Sequence, residues 1–168
     1  TYEDPLSPLG TAGAILLAKE QIQETFIVTY ADILRSLDVT KQINQHRISN
    51  SIATINGYRN TSKTYKSSLI FDETNNLIQF NEMSSSTPRN EDEVIWSNGS
   101  FYIFEPEIFD YIKKGVVIDF AKNIFPEIIS EGKKISVFPT SGYFIDIGTK
   151  EKLEKANKDL LDNPMLLN

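Results

Sequence analysis

An α/β domain with a mixed, mostly parallel sheet and helices on both faces is what this chain predicts, and three observations predict it. Short continuous apolar runs such as FIVTY (26–30) and YFIDI (143–147) have the composition of buried strands. Segments with helical apolar spacing lie between such runs, so strands alternate with helices. Neither an internal repeat nor a linker divides the 168 residues, which suffice for one ordinary domain with a real core; residues 1–168 therefore read as a single domain.

The elements follow in order. Residues 1–10, punctuated by Pro5 and Pro8, read as extended. Thr11 can cap a helix to about Gln23, with Ile15, Leu16, Ala18 and Ile22 on its buried side. Phe26–Tyr30 is short and β-rich enough to be a strand buried on both faces. Asp38 can cap a helix through Arg47, and Ser51–Tyr58 reads as a strand. KSSLIFD and LIQFNEM flank the turn-forming DETNN and predict a hairpin, and the polar stretch Ser84–Asp92 predicts a mobile loop. VIWSNGSFYIF resumes strand chemistry, interrupted at Asn98-Gly99. Pro106 suits the first turn of a short helix ending near Gly115. A second helix covers roughly Asp119–Ser130, with Ile118, Phe120, Ile124, Phe125 and Ile128 as its apolar set. ISVFP and YFIDI are the last strands. Thr149 caps a closing helix whose Leu153, Ala156 and Leu160 share one face, stopped by Pro164.

Composition narrows the function. A net charge of -6 and a pI near 4.9 argue against nucleic acid as the main partner. There is no cysteine, and His46 is the single histidine, which excludes thiolate and His-rich metal sites. No apolar run reaches the roughly 18 residues of a membrane span. The expectation is a soluble, cytoplasmic protein. His46, at the end of a helix among polar residues, reads as exposed and structural. Trp96, Phe101, Tyr102 and Phe104 read as strand core, since nothing basic is interleaved with them. The Lys-rich closing helix reads as a solvated face.

Two residues stand out. Asp32 closes FIVTYAD and Asp146 closes the strand in YFIDIGT, so each holds a carboxylate at a sheet rim, where α/β proteins bind ligands. Two such carboxylates can share one divalent cation, which points to phosphate chemistry. Each aspartate could equally be a turn former or a helix cap after its strand.

PLGTAG (8–13), FIVTYAD (26–32), FNEM (80–83), SNGSFYIFEPEIFDYI (97–112), IFPEII (124–129) and YFIDIGT (143–149) occur in this order. That ordered set resembles the sugar-1-phosphate nucleotidyltransferases, from about Pro8 to Ala156. The resemblance implies a Rossmann-like fold of the nucleotide-diphospho-sugar transferase type. It also implies transfer of a nucleotidyl group from a nucleoside triphosphate to a sugar 1-phosphate, giving an NDP-sugar and pyrophosphate. By the same resemblance, Gly10, Thr11 and Ala12 lie against the nucleobase and ribose. Asp32 and Asp146 hold Mg²⁺ and are the catalytic pair, while Glu82, Asn98 and Gly99 bind the sugar.

Several positions depart from the family pattern. No G-x-G-T-R loop precedes PLGTAG, so the expectation is the C-terminal portion of a nucleotidyltransferase domain, N-terminally incomplete. It would then be completed by a complementing N-terminal segment or by homo-oligomerisation. Met83 stands where the family commonly has a Lys after the Glu, Lys66 near a usual Gly, and Ala31 for the Gly before Asp32. These departures leave a second reading open: a non-catalytic NDP-sugar-binding module, or a regulatory subunit of an active paralogue. Guanylyl-, thymidylyl/uridylyl- and cytidylyltransferase features all occur, so the base stays open.

Overall fold

The computed structural model describes Asp4, residues 6–90 and residues 92–167. The extended opening expected over 1–10 lies partly outside these residues; where described, the Ser7 amide donates to the Asp4 carbonyl in a turn. The chain then forms α1 (Gly10–Ile15), a 3₁₀ extension (Leu16–Gln21), β1 (Phe26–Thr29), β2 (Ile33–Arg35), α2 (Val39–Ser49) and β3 (Ala53–Asn60). A hairpin of β4 (Thr64–Phe71) and β5 (Leu77–Pro88) leads to β6 (Ile95–Phe104) and a 3₁₀ turn (Pro106–Tyr111). A π-helical turn (Phe120–Ile124) runs into α3 (Phe125–Ser130), followed by β7 (Ile135–Thr140), β8 (Phe144–Asp146) and α4 (Lys150–Asp162).

The central sheet has the order β1-β6-β3-β7. β6 runs antiparallel to both β1 and β3, while β3 and β7 are parallel. Three of the four strands therefore point the same way, with β6 reversed between them. The sheet is mixed and mostly parallel in direction, although only the β3–β7 ladder is a parallel pairing.

Its two faces differ in chemistry because side chains alternate along each strand. Tyr102 and Phe104 project toward Phe120 and Phe125, with ring centroids 4.9–6.3 Å apart, and Ile55 and Val137 complete this fully buried apolar layer. On the opposite face α2 lies over Thr54 and Ser136 and is held by polar contacts. Gln45 Nε2 donates to Ser136 Oγ (2.9 Å) and to the Val137 carbonyl (2.8 Å). His46, which the sequence reads as exposed, is buried: its ring nitrogens lie 2.7 Å from Thr54 Oγ1 and 2.9 Å from Glu105 Oε1. Its partners, Thr54 and Glu105, lie on other elements and are not the polar residues beside it in the sequence.

Other expectations are corrected. Thr11 does not cap the first helix. Its hydroxyl donates to Asp119 Oδ2 (2.7 Å) and accepts from the Phe120 amide (3.1 Å), and the helix tightens into 3₁₀ geometry after Ile15. β1 is an edge strand with Ile27 45% exposed, not a strand covered on both faces. Residues 84–88 continue β5, because backbone pairing such as Tyr65↔Thr87 needs no apolar side chains. The stretch from Asp119 to Ser130 begins with a wide π turn: Pro126 has no amide hydrogen to close the regular ladder there. The three-residue β2 carries too little pattern to be seen in the sequence.

Candidate active site

β2 and β8 pair antiparallel, with Ile33 opposite Asp146, and this small ribbon builds the site. Asp32 immediately precedes β2 and Asp146 ends β8, so the register puts them at the same end. The Ile147 amide donates to the Asp32 carbonyl (2.8 Å) and closes that end. Arg35, the last residue of β2, fixes the ribbon to the rim of the central sheet by donating to the Gly99 carbonyl (2.5 Å) and Thr29 Oγ1 (3.1 Å). From the other side, Tyr143 OH donates to Asp159 Oδ2 (2.9 Å) and ties α4 to the strand. Burial and that bond push the Tyr143 phenol up to about 12.

Gly148 locates the two carboxylates relative to each other. A Cβ built on it would lie 3.0 Å from Asp146 Oδ1 and 3.5 Å from Asp32 Oδ2. The two oxygens are therefore no farther apart than those two distances laid end to end. The Gly148 amide also donates to Asp146 Oδ1 (2.7 Å), and Lys152 Nζ donates to Asp146 Oδ2 (2.8 Å). The Lys152 ammonium, helped by the Gly148 amide, holds the Asp146 carboxyl below the usual carboxylate value. Oxygen-only donors from two carboxylates are what Mg²⁺ takes, with water and substrate oxygens completing its shell, so the pair fits that ion.

Beside this pair opens a cleft of about 360 Å³ lined by Tyr58, Asn60, Tyr65, Lys66, Asn98, Phe144, Asp146 and Lys152, among others. Tyr58 and Phe144 stack at 3.7 Å between centroids, 5° from parallel, and give it an aromatic floor. Asn98 is held by its Nδ2 on Tyr102 OH (2.7 Å) and by the Ser100 amide on its Oδ1 (3.0 Å). The bulge at Asn98–Ser100 thus faces the cleft, with Gly99 at its centre bonded to Arg35.

The remaining expected residues lie apart from the carboxylate pair. Glu82 stands on β5 opposite Ser67 and does not line the cleft; partial desolvation, then Asp119, raises its carboxyl, while Lys122 and Lys66 oppose the shift. Gly10, at φ +80°, lets the chain pass Ile118, whose carbonyl would be 2.5 Å from any Cβ. The Ala12 and Gly13 amides donate to that same carbonyl (3.1 and 3.2 Å), and Ala12 is fully buried. The structure thus places Asp146 and Asn98 on one cleft, brings Asp32 up to Asp146 at Gly148 outside the cleft's lining, and places Gly10–Ala12 on a separate packing contact.

Sequence reasoning missed Lys152, Gly148 and the Tyr58–Phe144 floor. Lys152 was hidden among the lysines of the closing helix. Its signal was its place in the first turn, three residues after the Thr149 cap, which leaves its side chain free to reach back toward the residues before the helix.

The sequence model of the nucleotidyl transferase family matches residues 2–163. The chain belongs to that family. It is 30% identical over 149 residues to a probable glucose-1-phosphate cytidylyltransferase of Bacillus subtilis, covering 88% of this chain and 54% of the relative. It is 31% identical over 162 residues to a glucose-1-phosphate adenylyltransferase of Clostridium perfringens, covering 90% and 40%. A UTP–glucose-1-phosphate uridylyltransferase of Synechocystis is 29% identical over 150 residues, 83% of this chain and 37% of the relative. Among solved structures, HddC from Yersinia pseudotuberculosis complexed with GMP-PN superposes with a TM-score of 0.73 at 27% identity, over 91% of this chain and 63% of that one. The fold is therefore the Rossmann-like one of these transferases. The chain spans between 37% and 54% of the length of these curated relatives.

Proposed function

We propose that this chain supplies the sugar-phosphate and metal side of a nucleotidyl transfer in which a nucleoside triphosphate and a sugar 1-phosphate give an NDP-sugar and pyrophosphate. The observation that carries this reading is the convergence of Asp32 and Asp146 at Gly148, beside a polar cleft with an aromatic floor. A sugar-phosphate oxygen attacks the α-phosphorus in line, the new P–O bond forms, and the bond to pyrophosphate breaks. The protein forms no covalent bond; its work is positioning and charge neutralisation. Mg²⁺ bound by Asp32 and Asp146 would supply charge neutralisation for the phosphates. The Tyr58–Phe144 stack supports one face of the sugar, and Asn98, Asn60 and the cleft's hydroxyls suit its oxygens. Sugar contact by Glu82 rests on the motif alone, since it does not line the cleft. Nucleobase contact at Gly10, Thr11 and Ala12 rests on the motif alone, and with the Ala12 amide already engaged it falls to the groups that Gly10 and Thr11 retain.

Two further parts belong to this proposal. The outer edge of β1 bonds no strand among the described residues, which supports pairing with a complementing segment or a second copy, readable by sedimentation. No helix among the described residues is long and apolar enough to cross a membrane, and a cytoplasmic location is proposed with it.

The test is calorimetry with UDP-, CDP-, ADP- and GDP-glucose in Mg²⁺, followed by pyrophosphate release from the matching nucleoside triphosphate and glucose 1-phosphate. Binding with turnover supports the transferase; absence of binding by every nucleotide sugar and of any pyrophosphate refutes it. Met83 favours a second reading, a sugar-nucleotide-binding subunit, for which binding proceeds without turnover.

A further inference from the structure

Residues near the carboxylate pair show how the cleft obtains the cation that Met83 does not provide. Between the pairs Tyr65↔Thr87 and Ser67↔Glu82 the hairpin ladder breaks, so that Lys66 alone opposes the four residues from Met83 to Ser86. Met83 is carried into this bulge and does not line the cleft, whereas Lys66 does. Lys66 thus lines the same cleft as Asp146 and Lys152. Lys152 holds Asp146 Oδ2, and its side chain and that of Asp146 are 48% and 44% exposed, so the pair can open toward solvent. Among the described residues lining the cleft, Lys66 and Lys152 are the cations and Asp146 is the anion.

We infer that Lys152 serves two anions in turn: it holds Asp146 while no divalent cation is bound, and it turns to the phosphate of the sugar phosphate once a metal has taken Asp146. Lys66 is the second cation of that phosphate subsite. The inference rests on the proposed function above and names residues that reading leaves unassigned.

A metal ligated by Asp146 would draw charge from the carboxylate and repel the ammonium 2.8 Å away, weakening the hold of Asp146 on Lys152. Lys152 has a flexible four-carbon stem, and its anchor on α4 is fixed by the Tyr143–Asp159 bond, so the released ammonium sweeps the cleft it already lines. The exchange makes metal and sugar phosphate bind in order, since the cation that grips the phosphate is freed by the metal.

Calorimetry on the full chain tests this with Mn²⁺ alone, then with glucose 1-phosphate at saturating Mn²⁺. Lys152→Met should tighten Mn²⁺ binding about two- to fivefold, the range an exposed ion pair supports. It should also weaken glucose 1-phosphate about tenfold, in line with loss of one solvated charge-assisted contact. Lys152→Arg should restore most of the sugar-phosphate affinity, which a merely structural role would not predict. If wild type binds both ligands and Lys152→Met changes neither affinity, or weakens Mn²⁺, the exchange is overturned while the proposed function stands. Wild-type protein that binds neither Mn²⁺ nor glucose 1-phosphate overturns both.

Discussion

Replacing Asp146 by Asn distinguishes a carboxylate kept for metal chemistry from one kept for the fold. The side chain makes two contacts: Oδ1 accepts from the Gly148 amide at 2.7 Å and Oδ2 from Lys152 at 2.8 Å. An asparagine of the same shape keeps the first through its amide oxygen and loses the second. With the two side chains 48% and 44% exposed, that ion pair contributes no more than about 1 kcal/mol. For a chain of this size the melting temperature should fall by no more than about 4 °C. Metal affinity depends on ligand charge, so losing one of two carboxylates should weaken Mn²⁺ or Mg²⁺ binding on the order of 100-fold. Turnover, where present, should fall with it. The assay pairs thermal melting with calorimetric metal titration on the same samples. A fall of more than about 10 °C would make Asp146 a structural residue, and an unchanged metal affinity in a stable variant would remove it as a ligand.

Gly148→Ala should weaken metal binding by calorimetry with little change in melting, because its Cβ would press on Asp146 Oδ1 at 3.0 Å; unchanged affinity would show that the carboxylates do not need this spacing. Gln42 is fully buried on the α2 face, and neither its amide oxygen nor its amide nitrogen has a hydrogen-bond partner among the described residues. Gln42→Met should therefore raise stability by about 1 kcal/mol in denaturant titration, whereas a loss would mean that water or another chain satisfies the amide. Asp159 is held below the ordinary carboxylate value of 3.8, chiefly by Lys155 and then by Tyr143. A depressed folded value means its contribution is present in full above the ordinary value and is lost as pH falls through the folded one. Asp159→Asn should accordingly flatten the acid limb of the melting-temperature profile below about pH 4 and leave its neutral region nearly parallel to wild type. An acid limb as steep as that of wild type would contradict the assignment.

The sequence carried much of this. Runs of four or more strand formers, such as those around Val28, Ile55 and Ile103, announce themselves by composition, and Thr149 before an amphipathic segment marks its helix by capping chemistry. Asp32 and Asp146 were legible because each ends such a run. Their meeting was not, since it depends on the pairing of Ile33–Arg35 with Phe144–Asp146, two ribbons too short to show a period. Tertiary contacts overrode local signals elsewhere: Thr11 has a helix-capping side chain but spends it on Asp119, and His46, among polar helix residues, is buried by bonding Thr54 and Glu105 from other elements. The polar tip of β5 gave no strand signal, because a hairpin ladder is held by backbone groups that every residue possesses.

Anomalous diffraction from crystals grown with Mn²⁺ and glucose 1-phosphate tests the central claim most directly. One manganese peak is expected, within about 2.3 Å of a carboxylate oxygen from each of Asp32 and Asp146. A peak on other side chains, or no peak between these two at saturating Mn²⁺, would contradict it.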